Sequence, residues 1–435
     1  MIGANDQKGA EAALPTQADV IIIGGGVVGV SAALFFAERG ASVVLCEKGR
    51  IAGEQSSRNW GWIRKMGRDA RELPLMMESA RLWARIAPEL GEEIGYGARG
   101  TTYLAETDDE LAPHAAWLEV ARQFGLDTVL LSTDGTDNLL GRGDRRFKGA
   151  LHTPSDATAE PSLAVPAMAR RAAALGAAIV ENCAVRVVER AGGRVSGVVT
   201  ERGEIACSAV ILAGGVWSRT FLENLGLGLP QLAVKSSVLR TTPAPDIRPG
   251  GIGAPNASVR RRLDGGYTVA RSGAAEFQLV PAAFRHFAAF LPILRQRWRI
   301  MKIKAGRDFF GPLGTWRWKA DETSPFERVR VLDPEPDKAL LNRVMAAARA
   351  LHPQLAEAKP VQSWGGMIDV MPDEIPVIDT PPGWSGLLIA TGLSGHGFGI
   401  GPGVGMLAMQ SVLGETPFVD LAPFALSRFH RKAAA

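Results

Sequence analysis

Cysteine, tyrosine and histidine are scarce in this chain of 435 residues, which has three, three and six of them. Cys46, Cys183 and Cys207 form no CxxC pair and are odd in number, so the pattern supports neither a disulfide framework nor a zinc site. A reducing compartment follows; the expectation is a cytoplasmic protein, with peripheral contact to the inner membrane surface as an option. Charge of one sign is also lacking. Lys plus Arg number 49 against 45 Asp plus Glu, a surplus too small and too dispersed for nucleic acid, although a small acidic ligand stays allowed. Residues 1–16 have no signal-peptide core and read as a flexible tail. One run, residues 18–37, carries only Asp19 as a charge and has the length of a membrane span. Four glycines cut it into a strand and a helix, which excludes the span.

Glycine is what the chain has in quantity, at 50 residues, and its placement is informative. A β-branched run, Val20 to Ile23, is followed by Gly24-Gly25-Gly26-Val27-Val28-Gly29, a helical stretch to Arg39, and a second strand from Ser42 to Leu45 that leads to Glu47. This is GxGxxG in the strand–turn–helix context that gives the motif meaning. Gly24 permits the turn, Gly26 admits a pyrophosphate to the backbone and helix N-terminus, and Gly29 lets helix and strand pack closely. Glu47 stands where an acid accepts ribose hydroxyls and repels a 2′-phosphate. The polar stretch after it, from Lys48 through Gln55, Ser56, Ser57 and Arg58, then meets Trp60 and Trp62, which suits an extended FAD better than a nicotinamide dinucleotide. Gly403 to Ala408 also matches GxGxxA, but lies a dozen residues beyond its strand and reads as helix packing. With no second dinucleotide fingerprint, electrons come from the substrate.

Further segments carry a resemblance. Ala213-Gly214-Gly215-Val216-Trp217-Ser218, Trp364-Gly365-Gly366, Pro372 to Ile378 and Gly392-Leu393-Ser394-Gly395-His396-Gly397-Phe398-Gly399 occur in the order seen in the FAD-dependent D-amino-acid oxidase superfamily, the glycine and sarcosine oxidase group. Within it, residues 51–58, 182–184, 213–219, 324–327 and 422–424 most resemble bacterial membrane-associated L-amino-acid deaminases. The resemblance implies an α/β fold: a Rossmann-like FAD-binding domain interleaved with an α+β substrate domain on an antiparallel sheet. Local pattern agrees on segments 17–95, 152–225 and 360–435 for the first domain, and 96–151 and 226–359 for the second.

The site follows. Gly24, Gly26, Val28, Gly29, Glu47, Lys48, Gln55, Ser56, Ser57, Arg58, Val185, Ala213, Gly214, Trp217, Gly395, His396 and Gly397 are the expected cofactor residues. FAD is expected to be non-covalent, since no cysteine lies where relatives form a flavin link. A flavin that oxidises an amine needs a fixed carboxylate and an uncharged nitrogen from its substrate. Arg271, at a strand end beside Tyr267, is the first choice for a bidentate carboxylate anchor, and the deaminase resemblance implies such an arginine within a residue or so. Arg64 and Arg58 are alternatives. Trp60 and Trp62 would wall the substrate, His396 would stabilise charge at the flavin's pyrimidine edge, and Lys235 reads as a strand-edge lysine with a place over the flavin as the alternative.

A basic, aromatic insert at about 295–319, with Trp298, Arg299, Trp316 and Trp318 among its residues, suits either a membrane surface or a packed lid. The function implied is oxidation of an amino-acid C–N bond to an imino acid, hydrolysed to a 2-oxo acid and ammonia. Oxidation of a secondary, N-methyl or cyclic amine, or of a D-amino acid, stays open, as does oxygen or a quinone as acceptor. A flavin-binding electron-transfer subunit is the reading from another class. No metal is expected.

Overall fold

The computed structural model describes residues 14–297 and 301–429. Its first sheet has six strands in the order Val377–Asp379, Leu387–Thr391, Ala209–Leu212, Val20–Ile23, Val43–Cys46 and Ala178–Val180. All neighbours are parallel except the first pair. Each inner strand is an unbroken apolar run because both faces are covered. Ile22, Val43, Leu45 and Ile211 face one core with the helices Val27–Glu38, Leu73–Leu90, Pro161–Ala174 and Gly397–Leu413. Ile21, Val44, Val210 and Leu212 face another, covered by the three-stranded antiparallel sheet 185–206. Adjacent residues thus belong to different cores, as period-two strands require.

Apolar residues at helical spacing make Leu73–Leu90 an amphipathic helix, with Leu75, Leu82, Trp83, Ile86 and Leu90 all buried. Gly403 and Gly405 do serve packing. A methyl on Gly405 would lie 2.7 Å from the Ala32 backbone nitrogen, so the two central helices cross where neither has bulk. The stretch 178–191 forms two strands, Ala178–Val180 and Val185–Ala191, separated where Asn182 takes a positive φ of 49°. Residues 1–13 of the expected tail lie outside the described residues; Leu14 packs on the second core and Thr16 accepts from the Ala206 amide at 2.9 Å.

A ten-stranded mixed sheet forms the rest. Pro360–Val370 pairs along the ten-residue strand Leu232–Thr241. Ala270, Ser258, Gly253 and Tyr103 lie side by side on four adjacent strands.

Trp298 and Arg299 lie outside the described residues. Of the two readings of the insert, Trp318 follows the packed one: it is 7% exposed, donates to the Arg186 carbonyl at 2.8 Å and packs edge-on against Phe326. Trp316 is half-buried against the same core. An indole with its N–H satisfied inside a core gains more there than at an interface.

Candidate functional site

A cavity of about 390 Å³ is lined by residues from the Gly24 turn through to Arg271 and Trp62. At its start Gly24 holds φ +110°, and the helix beginning at Val27 presents its N-terminus. The Val27 amide is capped by Ser56 Oγ at 2.9 Å, and the first intrahelical bond runs from Val30 N to the Gly26 carbonyl. A methyl on Gly26 would touch only Ser56 Oγ, at 3.1 Å, and otherwise project into open space. That is the clearance a pyrophosphate needs against a helix N-terminus. Gly29 does not line the cavity; a methyl there would lie 2.0 Å from the Gly24 carbonyl oxygen, so its role is the close helix–turn contact.

Glu47 accepts from the Gly25 and Gly49 amides, each at 2.7 Å. Burial raises its pKa against the pull of those two amides. A carboxylate has about four acceptor sites; two are taken, and the rest face the cavity, which fits a ribose diol. Lys48 turns differently from a cofactor contact: its ammonium donates to Glu54 at 2.7 Å and to the Val329 and Arg330 carbonyls, and lies 4.5 Å from the Trp217 ring centroid. Arg330 returns a bond to the Lys48 carbonyl and pairs with Glu201, while the Leu332 amide donates to Glu54 at 2.9 Å. Residues 324–333 therefore lie as a strap beside the dinucleotide half of the cavity, which Phe326 and Arg330 line.

Val28, Gln55, Ser56, Val185, Ala213, Gly214 and Trp217 all line the cavity. Ser57 does not; its hydroxyl donates back to the Glu54 carbonyl. Arg58 lines the wall but is spent on Asp333 and the Gly365 carbonyl, which removes it as a substrate anchor. Sequence reasoning passed over Asp369. It is fully buried, accepts from the Gly392 and Leu393 amides at 2.9 and 3.2 Å and from Gln231 at 3.1 Å, and so fixes the loop that carries Gly395, His396 and Gly397 to the cavity. Burial pushes its carboxyl up, and those amide donors oppose the shift.

At the far end Trp60 and Trp62 meet edge to face, ring centroids 5.3 Å apart, and Trp62 lies 6.0 Å from Tyr103. Arg271 lines this end and has no hydrogen-bond or ion-pair partner among the described residues. Lys235 does not line the cavity; it pairs at 3.1 Å with Glu276, its cross-strand neighbour on Ala275–Gln278. His396 Nδ1 is 3.3 Å from Glu72, a wholly buried carboxylate with no hydrogen bond of its own. Burial, with the Arg68 charge adding to it, pushes the imidazole down to about 4, so His396 is neutral at pH 7. Burial also opposes the charge on Glu72, but the nearby Arg68 and Arg64 guanidiniums hold its carboxyl below the ordinary carboxylate range. Neither Glu72 nor Arg68 announces itself in the sequence, since each sits in a short polar stretch with no motif.

The chain matches, over residues 19–411, the family described as FAD dependent oxidoreductase, DAO. It belongs to that family. Its members are FAD-dependent, and the glycine turn, Glu47 and the clear channel above Gly26 have the shape and chemistry that such a dinucleotide requires. An L-amino acid deaminase from Proteus myxofaciens, solved in complex with anthranilate, is 32% identical, with a TM-score of 0.91 covering 96% of this chain and 95% of that one. Glycine oxidase of Pseudomonas putida is 28% identical over 93% of this chain and 97% of its own length. The β subunit of sarcosine oxidase from an Arthrobacter species is 26% identical over 94% and 91%. No helix among the described residues of this DAO-family chain is long and apolar enough to cross a membrane.

Proposed function

We propose that this protein oxidises the C–N bond of an amino acid to an imine, which water hydrolyses to a 2-oxo acid and ammonia. FAD, when bound, supplies the two-electron oxidant; the substrate gives up two electrons and two protons, and hydrolysis consumes one water. The observation that carries the reading is Arg271, an unpaired guanidinium at the substrate end of the cavity, opposite an aromatic wall. A cation left without a partner in such a place is matched to an anion, and a carboxylate fits its fork. Trp60 and Trp62 exclude water and bear on the side chain. His396 lines the same cavity as a neutral imidazole, so it would offer the reduced flavin a hydrogen bond rather than a positive charge.

The sarcosine oxidase relative supports keeping N-methyl amino acids as a second reading. Peripheral membrane contact belongs to the proposal as well: Phe284, Phe287, Ile303 and Phe310 are 52–83% exposed, beside Lys302 and Lys304.

The test is anaerobic bleaching of the flavin by L- and D-amino acids, glycine, sarcosine and proline, followed by oxygen- and quinone-coupled assays. Losing a guanidinium partner to a carboxylate costs about 2–5 kcal/mol, so Arg271→Ala should raise the KM of the best substrate by roughly 30-fold or more with normal FAD content. Failure of every amino acid to bleach the flavin, or unaltered constants in Arg271→Ala, overturns the reading.

A further inference from the structure

Arg271 is not the only uncompensated cation on the cavity. Arg68, 4% exposed, lines it with Nη1 bonded to nothing, while its Nε donates to the Arg64 carbonyl. Arg64 spends one nitrogen on the Met66 carbonyl and lies over the Tyr103 ring, 5.4 Å from guanidinium carbon to centroid. Neither arginine has a carboxylate within salt-bridge distance among the described residues. Trp62 Nε1 is a second buried donor without a partner. A buried donor left unmade is costly, and a buried cation more so, unless something comes to meet it.

The neighbouring charges do not cancel this excess. Asp156 pairs with Lys65 at 3.9 Å, and Glu72 faces His396, which is neutral. Arg64 and Arg68 therefore stand against Glu72, one positive charge over. Burial lowers the Arg68 pKa only to about 10, so it remains cationic.

The spacing is suitable. Arg271 follows Ala270 and Arg64 lies over Tyr103, and those two residues are three strand spacings apart in one row, roughly 14 Å at about 4.8 Å each. Trp62 packs on the bare backbone of Gly251 and beside Gly253 between them.

We propose that the cavity takes two anionic groups at once: the α-carboxylate at Arg271 and a second anion, on the substrate side chain, at Arg64 and Arg68. The substrate class is then an acidic amino acid or its N-alkyl derivative. This rests on the amino-acid reading above, but its test needs no turnover.

Holoenzyme is titrated with glutarate and with pentanoate, two chains of five carbons that differ in the second carboxylate, and binding is read as the perturbation of the flavin spectrum. Glutarate should bind at least tenfold more tightly, although pentanoate is the more apolar. That ratio should fall toward one in both Arg68→Gln and Arg64→Met. Should Arg68→Gln fail to retain FAD, Arg64→Met together with the native comparison still decides. Equal or tighter binding of pentanoate overturns the proposal, as does a ratio unchanged in Arg64→Met. Amino acids that bleach the flavin while glutarate shows no preference would sink this inference alone. A clear glutarate preference with no bleaching would sink the amino-acid reading alone.

Discussion

Gly26 and Gly29 stand three residues apart in one motif, yet a single methyl should separate them cleanly. Gly26 has φ −78° and ψ 179°, which alanine adopts without strain, and the added carbon meets only Ser56 Oγ at 3.1 Å. A shift of a few tenths of an ångström relieves that, and the narrower unfolded ensemble of alanine returns about 0.4–1 kcal/mol. The apoprotein of Gly26→Ala should therefore melt within about a degree or two of the native apoprotein. The same methyl fills the channel reserved for pyrophosphate, and affinity for FAD should fall at least about 100-fold, near 2.7 kcal/mol. Gly29→Ala should do the reverse. Its methyl lies 2.0 Å from the Gly24 carbonyl oxygen, where a carbon–oxygen contact needs about 3.3 Å, so backbone must move by more than 1 Å. Overpacking of that kind costs about 1–3 kcal/mol, and the apoprotein should melt a few degrees lower. Thermal unfolding with and without added FAD reads both effects, because a ligand at 100 times its Kd adds about 2.7 kcal/mol. The native protein should gain stability on adding FAD and Gly26→Ala should not. Full flavin stoichiometry in Gly26→Ala, or a native melting point for apo Gly29→Ala, would refute the reasoning.

Trp318→Ser removes a buried indole and should cost about 3–5 kcal/mol, lowering the melting point without changing sedimentation with anionic liposomes; a native melting point would return that residue to the surface. If the exposed patch touches lipid, Ile303→Ser with Phe310→Ser should lose liposome binding at low salt while keeping its flavin spectrum, and unaltered sedimentation of the double variant rules that contact out. Burial raises the Asp156 carboxyl to about 6 from 3.8. The folded chain thus holds that proton more tightly, so the contribution favours folding below about pH 4 and is withdrawn as pH rises to 6. Its size is on the order of 3 kcal/mol. Asp156→Asn should flatten that fall in urea midpoints between pH 4 and 7; an identical slope in both proteins would show that another group titrates.

The Gly24 to Gly29 motif was legible because its context is local: a β-branched run, a turn and a helix follow one another in sequence, and Glu47 closes the unit. The amphipathic helix Leu73–Leu90 was legible for the same reason, since one apolar stripe states which face is buried. For Trp318 composition alone left a lipid surface and a packed position both open; its partners, Arg186 and Phe326, come from elsewhere in the chain. Asp369 and Glu72 escaped notice because a carboxylate's role is set by what surrounds it. Asp369 meets amides 23 and 24 residues away, and Glu72 meets an imidazole across the cavity. Arg58 shows the converse, a residue in the right stretch whose guanidinium is already satisfied by Asp333.

The strap of residues 324–333 bears on timing. Phe326 and Arg330 form part of the cavity wall, and the strap is held through Glu54, Lys48 and Glu201 and anchored by Arg186 on Glu327 at 2.8 Å. A dinucleotide held behind such a wall would leave only after several ion pairs had opened together. Reconstitution of apoprotein should accordingly saturate at a first-order rate that no further increase in FAD concentration accelerates, and a chain that misses its cofactor while folding would regain it only at the pace at which the strap lifts.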